Sequence, residues 1–160
     1  MSKSTPPAPP VPADCDLTDF EFMPLSVSRL RDSDLTALAT GEEFRAAVLA
    51  WCAAWHQMPA GSLPDDDRLL ARLLGFGRDV TGWQTVREMA LHGFTKCSDG
   101  RLYHPVVCEK ALEAWNKKAG YRARAKAGAK KRWMPRDNQG ESAATIWMRV
   151  RRRCRHEGRA

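Results

Sequence analysis

The chain has 160 residues, 43% of them hydrophobic, which is enough for one domain with a core plus extensions. No run of about 18 apolar residues exists and the start lacks a secretory signal's apolar centre, so neither a transmembrane helix nor export is expected. The net charge of +7 is unevenly spread: residues 1–108 hold 10 Lys/Arg against 14 Asp/Glu, and residues 109–160 hold 16 against 5. A basic block of this kind points to an anionic polymer or an anionic membrane surface.

Residues 1–18, with Pro6, Pro7, Pro9, Pro10 and Pro12, read as a proline-rich, disordered or extended N-terminus. The domain is expected over 19–118, and its first apolar cluster is Phe22-Met23-Pro24-Leu25. Val27 to Leu38 is weakly periodic and predicts short helical turns at best. Glu42 to Trp55 is strongly periodic: Phe44, Ala47, Val48, Trp51, Cys52 and Trp55 fall on one face and predict a central helix over 42–56. Its two tryptophans fit core packing, with Trp51 buried, or base stacking.

The middle of the chain carries the organising signal. Pro64 with Asp65, Asp66 and Asp67 suits a helix start, since proline fits the first turn and carboxylates complement its positive end. Leu69, Leu70, Leu73 and Leu74 then form an apolar face, and Gly75 and Gly77 end it. A second helix is predicted over 80–92, capped by Asp79 or by Thr81 in the box Thr81-x-x-Gln84, with Trp83, Val86, Ala90 and Leu91 inward. Ser98-Asp99-Gly100 lies between two short runs and predicts a hairpin over 93–105. Helix, glycine turn, helix and hairpin are the parts of a winged helix-turn-helix. The fold class is therefore mainly α, a winged helix-turn-helix-like domain with a small β-hairpin and a basic helical extension.

From about residue 106 the pattern is helical again, with Cys108, Leu112, Trp115 and Ala119 on one stripe. The stripe then ends, and Tyr121 to Arg132 is alanine and glycine interleaved with cations, a frayed or inducible helix expected to project from the domain. The basic extension covers 119–160. After Met134-Pro135 a last basic amphipathic helix carries Ile146, Trp147, Val150, Arg151, Arg152 and Arg153, a surface for the domain, a partner protein or nucleic acid.

The catalytic inventory is thin. Adjacent carboxylates at Asp65–Asp67 could hold a divalent cation, but at a helix start they read more simply as a solvated terminus. His92, Cys97, His104 and Cys108 are of zinc-ligand type, with gaps that match no compact zinc pattern. There is no Walker loop, H-E-x-x-H, G-x-S-x-G or dinucleotide fingerprint, so no enzyme, no metal and no cofactor is expected. Five scattered cysteines, an odd number, suit free thiols in a reducing cytoplasm.

Nucleic-acid binding is better supported. The exposed face of the second helix should present Thr81, Gln84, Thr85, Arg87 and Glu88; Gln and Arg can pair bidentately with adenine and guanine edges. Arg78 and Lys96 would lie near phosphates. In the extension, Lys117, Lys118, Arg122, Arg124, Lys126, Lys130, Lys131 and Arg132 would supply salt-dependent affinity. Winged domains also serve as protein-interaction modules, and this one is acidic overall.

Several short motifs occur in one order: Phe22-Met23-Pro24-Leu25, the aromatic helix ending in Trp51 and Trp55, Leu63-Pro64-Asp65-Asp66, Arg68-Leu69-Leu70-Ala71 before Leu74-Gly75, Trp83, Phe94, and Gly100-Arg101-Leu102-Tyr103-His104. With the later Ala127-Gly128-Ala129-Lys130-Lys131-Arg132-Trp133, this resembles the YdaU-like family, a domain of unknown function in bacteriophage and prophage proteins. The resemblance covers about Asp19 to Trp133 and departs over Val27 to Thr40, where the family is richer in aromatic residues. It implies a winged-helix-like fold, a link to phage DNA replication near initiator or helicase-loader genes, and no catalytic residues. The expected function is non-enzymatic DNA binding in phage or prophage replication or its regulation. The alternatives are an adaptor docking on a replicative helicase or other protein, and a phage-encoded inhibitor of a host system. No membrane partner is expected.

Overall fold

The computed structural model describes residues 5–133. Its helices are α1 (Val27–Arg31), α2 (Asp34–Leu38), α3 (Gly41–Trp55), α4 (Asp67–Leu73), α5 (Val80–Ala90) and α6 (Pro105–Trp133). Its strands are β1 (Ser62–Pro64), β2 (Thr95–Lys96) and β3 (Arg101–Tyr103). The chain divides into a unit up to Gly120 and a second from Tyr121.

From α3 onward the order is helix, strand, helix, helix, strand, strand, with an antiparallel sheet in the order β1-β3-β2. That is the winged arrangement, with β2 and β3 as the wing. The hairpin read from the sequence is there, but β3 also pairs on its other side with β1, Leu63 opposite Leu102 and Ser62 opposite Tyr103. Pro64, which has no N–H to give a ladder, stands at the end of this edge strand.

Among the described residues the core has two clusters. Ala46, Ala50 and Ala54, one turn apart on α3, face Leu63, Leu70, Leu74, Trp83, Val86 and Ala90. Alanines at every fourth position keep that helix surface flat, so α5 can bring an entire tryptophan ring against it. The second cluster joins Trp55 to Tyr103, Val107, Cys108, Ala111 and Ala114. Period-two alternation on β3 sends Leu102 into the first cluster and Tyr103 into the second, so the sheet stands between them.

Side-chain placement corrects the sequence reading at several points. On α4, Leu70 and Leu74 are buried, whereas Leu69 and Leu73 are 47% and 42% exposed. A seven-residue helix packed against α3, α5 and β1 on one side has only one buried stripe. Trp51 is half-buried and Cys52 exposed, because the alanine side of α3 takes the deepest position. Asp79, not Thr81, caps α5, its Oδ1 accepting the Gly82 N–H at 2.8 Å. The central helix carries a full capping box, Thr40 with Glu43.

The proline-rich residues 5–18 form no helix or strand, as an extended segment would, and having no core of their own they borrow one. Val11, Cys15 and Leu17 are buried in the second cluster. The Cys15 carbonyl accepts the Ala60 N–H at 2.8 Å, and the Pro7 carbonyl accepts that of Ser98 at 2.9 Å. Prolines that give no N–H still supply carbonyls and little unfolded-state entropy.

Candidate nucleic-acid interface

The positions expected to read bases lie on α5, and Lys96, expected near a phosphate, lies on the wing; the charges of Arg87 and Lys96 are already engaged. Arg87 Nε donates to Asp67 Oδ1 at 2.7 Å, and its Nη2 donates to Asp65 Oδ1 at 3.1 Å. Lys96 Nζ, on β2, donates to Asp65 Oδ2 at 2.7 Å. Gln84 Nε2 reaches Asp67 Oδ2 at 3.5 Å, and the buried Trp83 Nε1–H donates to Asp67 Oδ1 at 2.9 Å. The Trp83 bond first, then Arg87 and Gln84, holds the Asp67 carboxyl below its usual range. Two carboxylates thus meet two cations, and the charges of Arg87 and Lys96 are locally balanced.

The three aspartates have separate tasks. Asp66 caps α4, its Oδ1 accepting the Arg68 and Leu69 N–H groups at 2.9 and 3.0 Å. Asp65 and Asp67 tie α4 to α5 and the wing. Adjacent carboxylates signal a helix start in sequence, but their partners stand 16 to 31 residues later, so only packing reveals the cross-ties. Arg78, Thr81 and Thr85 are exposed, and the Thr85 hydroxyl donates to the Gly82 carbonyl at 2.7 Å.

The basic run falls on α6. Lys118 is a correction: it is only 9% exposed. Its Nζ donates to Asp19 Oδ1 at 2.5 Å and to the Asp16 carbonyl at 2.8 Å, and lies 5.5 and 5.7 Å from the Phe20 and Trp115 ring centres. It fastens the N-terminal segment instead of offering charge to a phosphate. Lys117 is exposed. In the second unit Arg122, Arg124, Lys126, Lys130 and Lys131 are exposed, with the Arg124 guanidinium 4.7 Å above the Tyr121 ring. The helical backbone includes Arg132. This stretch, expected to be frayed or inducible, is helical through Trp133. Ile146, Trp147, Val150, Arg151, Arg152 and Arg153 lie outside the described residues.

A cavity of about 310 Å³ lies in the first unit, lined mainly by apolar groups such as Met23, Leu30, Leu35, Trp51 and Val107, with His104 beside them. Burial, and then the neighbouring His92, lowers the His104 pKa to about 4, so its ring is neutral near pH 7. Trp51 Nε1 and His104 Nδ1 are buried and have no hydrogen-bond partner among the described residues. Burial raises the thiols of Cys15 and Cys97, and that of Cys108 to about 12, so none is an activated nucleophile. Among the described residues no three His, Cys, Asp or Glu side chains converge as a metal site, and no helix is long and apolar enough to cross a membrane.

The described residues form a mainly helical, winged helix-turn-helix-like domain with a small three-stranded antiparallel sheet. The chain belongs to the DUF1376 family of proteins of unknown function, whose family model matches residues 21–113. The match contains the winged domain and stops before the basic run. No curated protein and no solved structure matches the chain.

Proposed function

We propose that this is a non-enzymatic DNA-binding protein whose affinity resides in the basic run of α6, acting in phage or prophage DNA replication or its regulation. One observation carries the reading. Lys117 to Arg132 holds eight Lys/Arg and no Asp/Glu, and Lys117, Arg122, Arg124, Lys126, Lys130 and Lys131 are all exposed. At about 100° per residue, Arg122, Lys126 and Lys130 make one stripe of the second unit and Arg124 and Lys131 another on the opposite side. The residues between are mostly alanine and glycine. A helix so slim, charged on two sides, suits a groove about 12 Å wide with phosphates on both walls. The phage and replication setting rests on the YdaU-like resemblance of the short motifs.

The test is fluorescence anisotropy of a labelled duplex with the full chain and with R122Q/R124Q/K126Q/K130Q/K131Q, at several salt concentrations. The five substitutions are expected to flatten the slope of log K against log salt by about 4 to 5. Unchanged affinity and slope would overturn the reading.

A second reading, an adaptor docking on a replicative helicase or another protein, is favoured by one surface. Leu69 and Leu73 are exposed on α4 between Arg68 and Arg72, also exposed. Leucine gains nothing from a phosphate and much from a protein groove. Nuclease-resistant recovery of a single partner from host lysate, with no duplex binding at low salt, would favour this reading.

A further inference from the structure

We propose that Arg87, Lys96 and Gln84 form a second nucleic-acid phosphate site, on the winged domain, which Asp65 and Asp67 occupy as built-in competitors. This rests on the DNA-binding reading above and adds a surface to it that charge counting would discard.

The geometry supplies the substitution. Three donors converge from two elements that a winged helix turns toward DNA: Arg87 and Gln84 from α5, and Lys96 from the wing. They meet two carboxylates carried by the start of α4. Arg87 spans both, giving Nε to Asp67 and Nη2 to Asp65, a forked engagement of the kind a guanidinium makes with phosphate oxygens. Two carboxylate charges stand where one or two backbone phosphates would bring the same charge and acceptor chemistry.

The carboxylates are not required for the helix start, because Asp66 alone takes the free N–H groups of α4. Nor is the cluster a sealed core bridge. The side chains of Asp65, Asp67, Arg87 and Lys96 are 22, 32, 37 and 59% exposed. Ion pairs this wet contribute little, at most about 1 kcal/mol, so an incoming phosphate can draw Arg87 and Lys96 away while Asp67 keeps the Trp83 N–H. The competition weakens DNA contact without abolishing it. A change of about 1 kcal/mol is a factor of about five in affinity, and two released cations add close to two phosphate contacts.

The experiment uses the full chain. A labelled 20-base-pair duplex is titrated by anisotropy with wild type, D65N/D67N, and D65N/D67N/R87Q/K96Q across salt concentrations. A charge-matched control is D34N/E21Q, two exposed acids elsewhere. Asparagine keeps an acceptor for the Trp83 N–H while removing the charge. D65N/D67N is expected to bind about five- to tenfold tighter, with a salt slope steeper by about 2, and R87Q/K96Q is expected to cancel both gains. No gain, a gain that survives R87Q/K96Q, or an equal gain in D34N/E21Q would each overturn the proposal. A second arm heats D65N/D67N with inorganic phosphate at matched ionic strength. A rise in Tm without tighter duplex binding would assign the pair to a free anion and overturn the nucleic-acid assignment. Failure of the α6 reading is read separately, from wild-type binding and its dependence on Arg122 to Lys131.

Discussion

His104 shows how one position carries a condition for the whole fold. Its ring is packed 5.5 Å from Trp51 and 5.1 Å from Phe94, centre to centre, and its pKa is lowered to about 4. The unfolded chain takes up a proton near pH 6.5 and the folded one does not, so stability is full above that pH and falls as pH drops toward 4. The expected loss is about 2–3 kcal/mol, read from urea midpoints between pH 7 and 4, and His104→Phe should flatten the curve over that window. Gly61 is a second such position. Its φ is +83°, and an added Cβ would lie 2.6 Å from Cys108 Sγ and 3.3 Å from the Cys108 backbone. Gly61→Ala should cost about 2–3 kcal/mol by denaturant midpoint, from backbone strain and overpacking together.

Among the elements, the alanine seam of α3 sets the spacing to α5. Ala50 has no exposed surface and faces the Trp83 cluster, so Ala50→Leu should cost about 1–3 kcal/mol in urea unfolding, while Cys52→Leu on the exposed side should be nearly neutral. This seam was hard to read in advance, because alanine carries a weak hydrophobic signal and the large residues Phe44, Trp51 and Trp55 drew the face to themselves. The helices and wing were legible since their signals are local: Gly75 and Gly77 ending α4, Asp79 opening α5, Asp99-Gly100 turning the hairpin. β1 was not. Ser62-Leu63-Pro64 is too short to alternate, and its partner lies 39 residues away. Of the candidate site, the cations of α6 could be read from composition alone. The engagement of Arg87, Gln84 and Lys96 by Asp65 and Asp67 could not, since it depends on three elements meeting.

At the level of the whole molecule, charge and core are carried by different parts of the chain. Both hydrophobic clusters lie before Gly120. Deleting residues 121–160 leaves 13 Lys/Arg and 16 Asp/Glu, a net charge of −3. The truncated chain should keep its helical circular dichroism and a cooperative melt, but lose duplex affinity, with a salt slope near zero. A cut before Lys117 is a poorer choice, since it also removes the ammonium that holds Asp16 and Asp19.

That ammonium has a consequence for the order of assembly. The bonds from Lys118 to Asp19 and to the Asp16 carbonyl close loops of 99 and 102 residues. On a ribosome the N-terminal strap emerges first, yet its anchor is made about a hundred residues later, after every strand and the first five helices. Val11, Cys15 and Leu17 can meet Trp55 and Ala60 earlier, but their cluster is completed only when Val107, Cys108 and Ala111 arrive, a long-range closure slow beside the local helix contacts. In refolding, protection of the Ala60 amide by the Cys15 carbonyl should lag behind that of the α3 amides, and pulsed hydrogen exchange would time the interval.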